Sequence, residues 1–144
     1  MKKLIFITTI LATASYANAQ KVNESAVPAA VKAKFTSLYA SVSKVSWEME
    51  NGDFEANFDH GKTEMSVLIA PTGKVLETEE GIAVASLPAG VTDYITKNLP
   101  GKKIKEASKI KDAHDVVTYE AEVEGMDYTF DEKGNFIKQA KDND

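Results

Sequence analysis

The sequence predicts an α+β fold: a tandem duplication in which a helix followed by a four-stranded antiparallel meander occurs twice. Three observations carry this reading. Short motifs recur in the same order some sixty positions apart; each copy opens with a proline ahead of apolar residues at helical spacing; and behind each helix the apolar period drops from about 3.6 to about 2.

The recurrences are specific. Val27-Pro28-Ala29-Ala30-Val31 returns as Leu87-Pro88-Ala89-Gly90-Val91, sixty positions on. Phe54-Glu55-Ala56-Asn57-Phe58 aligns with Tyr119-Glu120-Ala121-Glu122-Val123 at an offset of 65, and Met65-Ser66-Val67-Leu68-Ile69 with Met126-Asp127-Tyr128-Thr129-Phe130 at 61. Gly73-Lys74-Val75-Leu76 matches Gly134-Asn135-Phe136-Ile137, again at 61. A longer loop near Lys111 to Asp115 and a shorter one near Glu124-Gly125 account for the drift. The chain divides into residues 1–19 as a signal peptide, 20–80 as repeat one and 81–144 as repeat two, the two repeats forming one domain.

Each repeat begins with a helix. Pro28 and Pro88 stand where a first-turn proline is tolerated, because that N–H has no intrahelical partner and φ is already set. Behind them Val31, Phe35, Leu38 and Tyr39 form one helical face, as do Val91, Ile95 and Leu99, and Pro100-Gly101 stops the second helix.

The strands follow. Val45, Trp47 and Met49 alternate with polar residues up to Asn51-Gly52, a two-residue hairpin turn that needs positive φ at both positions. Phe54, Ala56 and Phe58 make the next apolar face, His60-Gly61-Lys62 turns the chain, and Met65, Val67 and Ile69 continue it. Pro71-Thr72-Gly73 leads to a fourth strand around Val75 to Thr78. The second repeat runs likewise through Tyr119, Ala121 and Val123, then Met126, Tyr128 and Phe130, then Phe136 to Gln139. Trp47, in phase with the apolar face, belongs to the core.

Lys2 and Lys3, the apolar run Leu4 to Ala14, and Ala17-Asn18-Ala19 form the pattern of a secretory signal peptide cleaved between Ala19 and Gln20. The run of 11 residues is well short of the ~20 that span a bilayer. The chain is therefore expected in the periplasm or outside the cell, with no membrane insertion after cleavage. Removing 19 of the 144 residues, Lys2 and Lys3 among them, takes the formal charge from −5 to −7.

Composition excludes several functions. There is no Cys, hence no disulfide, thiolate nucleophile or Cys-type metal site, and all 17 cationic residues are Lys. An acidic chain without the bidentate guanidinium is a poor nucleic-acid binder. No HExxH, Gly-x-Ser-x-Gly or phosphate-cradling glycine loop occurs, and both His60 and His114 fall in turns. Paired carboxylates such as Glu79-Glu80 or Glu120/Glu122 lack an enclosing apolar cleft. No catalytic residue, cofactor-binding residue or specific metal ligand is assigned, and the chain is read as a non-enzyme.

The polar alternants are informative. With the apolar residues turned toward the helices, the opposite sheet face presents Glu48, Glu50, Glu55, Asn57, Glu64, Ser66 and Leu68 from repeat one and Glu120, Glu122, Asp127 and Thr129 from repeat two. Like charge on a solvated face confers solubility by itself. The functional reading assigns Glu48, Glu50, Glu55, Asn57, Glu120, Glu122 and Asp127 to docking of a protein or peptide partner. The alternative is weak collection of divalent cations such as calcium by the same carboxylates.

The Val/Leu-Pro-x-x-Val helix start, the Phe-Glu-Ala-x-Phe-like strands and the Gly-bearing turn before each last strand, duplicated behind a signal peptide, resemble the PepSY-like family, also called β-lactamase-inhibitor-like, of Bacteroidetes-type bacteria. The resemblance covers roughly Val27 to Gln139. It implies an exported α+β protein of two helix-plus-sheet repeats, and by analogy a restraint on a peptidase or another enzyme through the concave sheet. No Cys is present to match the disulfides of the secreted inhibitor.

Overall fold

A computed structural model of the protein describes residues 20–141. The expected signal peptide, residues 1–19, lies outside the described residues. β1 (Gln20–Val22) runs through a short 3-10 turn into α1 (Ala29–Leu38), which is followed by β2 (Ser46–Glu50), β3 (Asp53–His60), β4 (Thr63–Ile69) and β5 (Val75–Gly81). A second 3-10 turn leads into α2 (Ala89–Asn98), then β6 (Glu106–Asp112), β7 (Val117–Val123), β8 (Met126–Asp131) and β9 (Phe136–Lys141).

The two expected four-stranded meanders are fused. All strands pair antiparallel in chain order in one nine-stranded sheet. β5 and β6 join the halves in a register from Glu77 opposite Asp112 to Gly81 opposite Ser108, and β1 adds an outer strand with Val22 opposite Trp47. Sheet edges expose unpaired backbone groups, so pairing β5 with β6 removes two edges at once. β1, at three residues, is too short to show a period in the sequence.

Both helices cover the same sheet face. Under α1, Val27, Val31, Phe35, Trp47, Phe54, Ala56, Phe58, Val67 and Ile69 form one core; under α2, Leu87, Val91, Ile95, Ala107, Ala121, Val123, Tyr128 and Phe130 form the other. Full burial of each large side chain contributes about 1.5–3 kcal/mol. Phe35 anchors the first core, its ring 5.4 Å from that of Trp47 and 5.0 Å from that of Phe58, both edge-on. The cores are built from equivalent positions, with bulk redistributed among them. Trp47 and Val67 in the first are replaced by Ala107 and Tyr128 in the second, which moves the large ring from β2 to β8. Between the cores the same face carries Glu80 opposite Lys109 and Thr78 opposite Lys111, a polar seam along β5 and β6.

Details depart from the sequence expectation at element ends. Leu38 is 48% exposed rather than part of the helix's buried face, because it is the last residue of α1 and the chain turns away there. Pro28 and Pro88 occupy the position before the first helical residue, with extended ψ near 145° and 141°. His60 is the last residue of β3, its ring 5.8 Å from Tyr39. Asn51 and Gly52 adopt φ of 52° and 93°, as the hairpin requires.

Candidate binding face

The face opposite the helices is built from alternants that the register aligns across strands. Residues directly opposite each other share a face, so the rows can be read from one edge to the other. One row runs Lys21, Glu48, Glu55, Leu68, Glu77, Asp112. The next runs Ser46, Asn57, Ser66, Glu79, Ile110, Thr118, Asp131. A third runs Ser108, Glu120, Thr129, Lys138, and a fourth Glu106, Glu122, Asp127, Ala140. Glu50 sits at the β2–β3 hairpin opposite Asp53. All seven residues singled out in the sequence thus lie on this face: Glu48, Glu50, Glu55 and Asn57 toward one edge, Glu120, Glu122 and Asp127 toward the other.

What links the two groups is β5. Glu77 and Glu79 stand between them, and the sequence reading missed both. A β-bulge is the reason. The register slips between Leu68 and Ile69 so that Leu68 faces Glu77 while Ile69 faces Val75, which leaves Leu76 unpaired and inverts the alternation midway along the strand. A period-2 count from Val75 therefore points the wrong way. Lys138 was hidden by an equivalent bulge, where Thr129 faces Lys138 and Phe130 faces Phe136. The Glu79-Glu80 pair separates, Glu79 to this face and Glu80 to the seam on the other.

Charges on well-separated strands of this face act on one another. Glu50 on β2 raises the proton affinity of Glu77 on β5, and Lys138 on β9 lowers that of Glu77 and of Glu120. Strands three and four apart in a flat sheet stand about 14 and 19 Å apart, beyond a screening length of about 8–10 Å. The length of the Glu and Lys side chains shortens these separations, and bulges of this kind strengthen local twist and bending.

Burial first, and then neighbouring charge, raise the proton affinity of three carboxyls on this face. Burial raises Glu55 above its ordinary range, Ser66 and Asn57 offset part of this by hydrogen bonding, and Glu50 and Glu79 add to it. Glu77 is raised by burial and then by Glu79, Glu50 and Glu55. Glu120 is pushed up to about 7, by burial first and then by Asp127 and Glu79, with Lys138 acting against them. Thr129 Oγ1 lies at a long 3.5 Å from Glu120 Oε2. Glu122 differs from the rest: it is 8% exposed and receives Lys105 Nζ at 3.0 Å. Leu68 and Ile110 supply apolar ground in the middle rows.

No group of three or more His, Cys, Asp or Glu among the described residues converges as a metal cluster. Neither histidine belongs to the face: His60 packs on Tyr39 and His114 lies in the β6–β7 turn, where its backbone N–H donates to Asp112 Oδ1 at 2.7 Å. Trp47 is 4% exposed and belongs to the core, with its indole Nε1 unpartnered. Among the described residues no helix is long and apolar enough to cross a membrane.

Fold and face together define a class: two helix-capped antiparallel modules sharing one nine-stranded sheet whose other side carries no helix. The chain belongs to the family described as "Putative beta-lactamase-inhibitor-like, PepSY-like", whose model matches it twice, at residues 14–77 and 71–138. Among solved structures it is similar to a protein described as a "putative periplasmic" one from Bacteroides eggerthii, with a TM-score of 0.70 and 15% identity over 80% of this chain and 88% of that one. A DUF2874 family protein from Bacteroides uniformis gives 0.69 and 15% over 79% and 88%, and a BLIP-like protein from Bacteroides fragilis 0.63 and 17% over 81% and 88%. At these identities the likeness is one of fold. No curated protein matches the chain.

Proposed function

We propose that the protein is an exported, non-enzymatic binding module that docks a protein or peptide partner with basic side chains through its acidic face. The observation that carries this reading is the gathering of Glu50, Glu55, Glu77, Glu79, Glu120 and Asp127 on one face from strands across the sheet, close enough that their charges add to burial in raising the proton affinity of Glu55, Glu77 and Glu120. Such self-repulsion costs stability when the face is empty and is relieved when cations are brought to it. Leu68 and Ile110 offer contact for the aliphatic stems of lysine or arginine. Export is supported by the N-terminal pattern and by the periplasmic description of a structural neighbour. The open sheet, without a histidine or an enclosed carboxylate pair, supports a binding role over an enzymatic one.

The test uses a lysine-rich peptide and a glutamate-rich control of equal length. The lysine-rich peptide binds at low salt, weakens as salt rises, and loses affinity when Glu55, Glu77 and Glu120 are changed to Lys. Equal binding by that variant, or loss of binding in a variant reversed only at Asp93 and Asp115, which lie outside the face, contradicts the proposal.

A further inference from the structure

The predicted cleavage after Ala19 places Gln20 at the new N-terminus, and the structure places Gln20 as the first residue of β1, exposed, on the outermost strand of the sheet. Its backbone is in register with Met49 of β2, and its side-chain amide has no partner among the described residues. The second repeat shows what is special here. Sixty positions on, the equivalent residue is Glu80, which lies inside the unbroken strand β5; only in repeat one would the predicted cleavage put a chain end on this strand.

We propose that Gln20 is a modification site and that the mature chain begins with pyroglutamate at this position. The chemistry needs no outside reactant. The α-amino nitrogen of an N-terminal glutamine can close a five-membered ring on its own side-chain carbonyl carbon. The unprotonated amine attacks Cδ, the N–Cδ bond forms, the Cδ–Nε2 bond breaks, and the departing nitrogen takes a proton from the amine and leaves as ammonia. With an α-amino pKa of about 7.7–8.0, a useful fraction is unprotonated near neutral pH. Exposure and the unpartnered amide leave both reacting groups accessible.

The ring has a structural consequence. It removes an ammonium charge from the strand end while keeping an N–H and the backbone carbonyl for pairing. It also removes the free amine that aminopeptidases require. β1 is only three residues long, and Val22 at its end packs against the first core beside Trp47. Trimming from the N-terminus would reach that contact within three cleavages, so a blocked end protects the edge of the fold.

The experiment is intact-mass measurement and N-terminal sequencing of the full chain after export from a Bacteroides host. The expected mass is that of residues 20–144 less one ammonia. No residue is released in sequencing until the protein is treated with pyroglutamyl peptidase, after which Lys21 is read first. The Gln20→Ala variant, exported in parallel, gives a readable Ala and is trimmed faster by an aminopeptidase. Gln20 read directly in the first cycle overturns the cyclisation while leaving the cleavage site standing, and a start at any other residue overturns both.

Discussion

Gly90 in the first turn of α2 and Gly134 in the β8–β9 turn lie backbone against backbone: a Cβ on Gly90 would stand 2.8 Å from the Gly134 carbonyl oxygen, and one on Gly134 2.9 Å from the Gly90 Cα. The first repeat makes the same contact more loosely. There Ala30 stands in place of Gly90, and a Cβ on Gly73 would lie 3.1 Å from the Ala30 carbonyl oxygen. In both halves the turn before the last strand docks on the start of the helix, which fixes that helix against its sheet.

Gly90→Ala reports on this contact by its sign. In an open helix the change stabilises by about 0.5–1 kcal/mol through lower chain entropy. At this position the overpacking term of about 1–3 kcal/mol dominates, and the variant melts below the parent in a thermal scan. A higher melting temperature would show that the turn and helix are not in contact.

Trp47→Ala opens the largest gap available in the first core. The expected loss is about 3–5 kcal/mol, read as a lower midpoint in urea followed by circular dichroism. Trp47→Phe costs less, because Phe keeps the edge-on contact with Phe35 and deletes an indole N–H that has no partner. Equal losses for the two substitutions would contradict this.

Stability falls as pH rises through the range in which Glu120 titrates. Its carboxyl holds a proton up to about 7 in the folded chain against an ordinary value of 4.5, so between those limits the folded state binds more protons than the unfolded one. The contribution is complete below about 4.5 and gone above about 7. Glu120→Gln keeps the shape and removes the titration. After allowance for solvent screening it is more stable than the parent at pH 8 by on the order of 1 kcal/mol, and close to it at pH 4. Denaturant titrations at the two pH values check this, and a constant difference would exclude Glu120 as the source.

Lys105 lies in the loop before β6 and pairs with buried Glu122, whose cross-strand neighbours Glu106 and Asp127 are both acidic. Lys105→Met leaves that carboxylate among like charges and lowers stability; adding Glu122→Gln recovers part of the loss. A double-mutant cycle in denaturant measures the coupling, and additive losses would show that the pair is not linked.

Much of this fold was legible because repetition and period reinforce each other. Val31, Phe35, Val91 and Ile95 follow helical spacing and are buried, and Phe54, Ala56 and Phe58 follow strand spacing and are buried. The fusion of the meanders was not legible, since strand order is a property of long-range pairing that the seam residues Glu80 and Lys109 do not announce. The seven docking candidates on the face, and Ser66, Leu68 and Thr129 beside them, were found by alternation. Glu77, Glu79 and Lys138 were not, because the bulges at Leu76 and Ile137 shift the phase, and an unpaired residue leaves no trace in composition.

The proposed docking role of the acidic face is the central claim, and residue-resolved NMR titration with a lysine-rich peptide tests it most directly. The account predicts shifts confined to the amides around Glu55, Leu68, Glu77, Glu79, Ile110 and Glu120, saturable at low salt and abolished by Glu55→Lys, Glu77→Lys and Glu120→Lys together. Shifts centred on α1, α2 or the Glu80–Lys109 seam, or none at low salt, would contradict it.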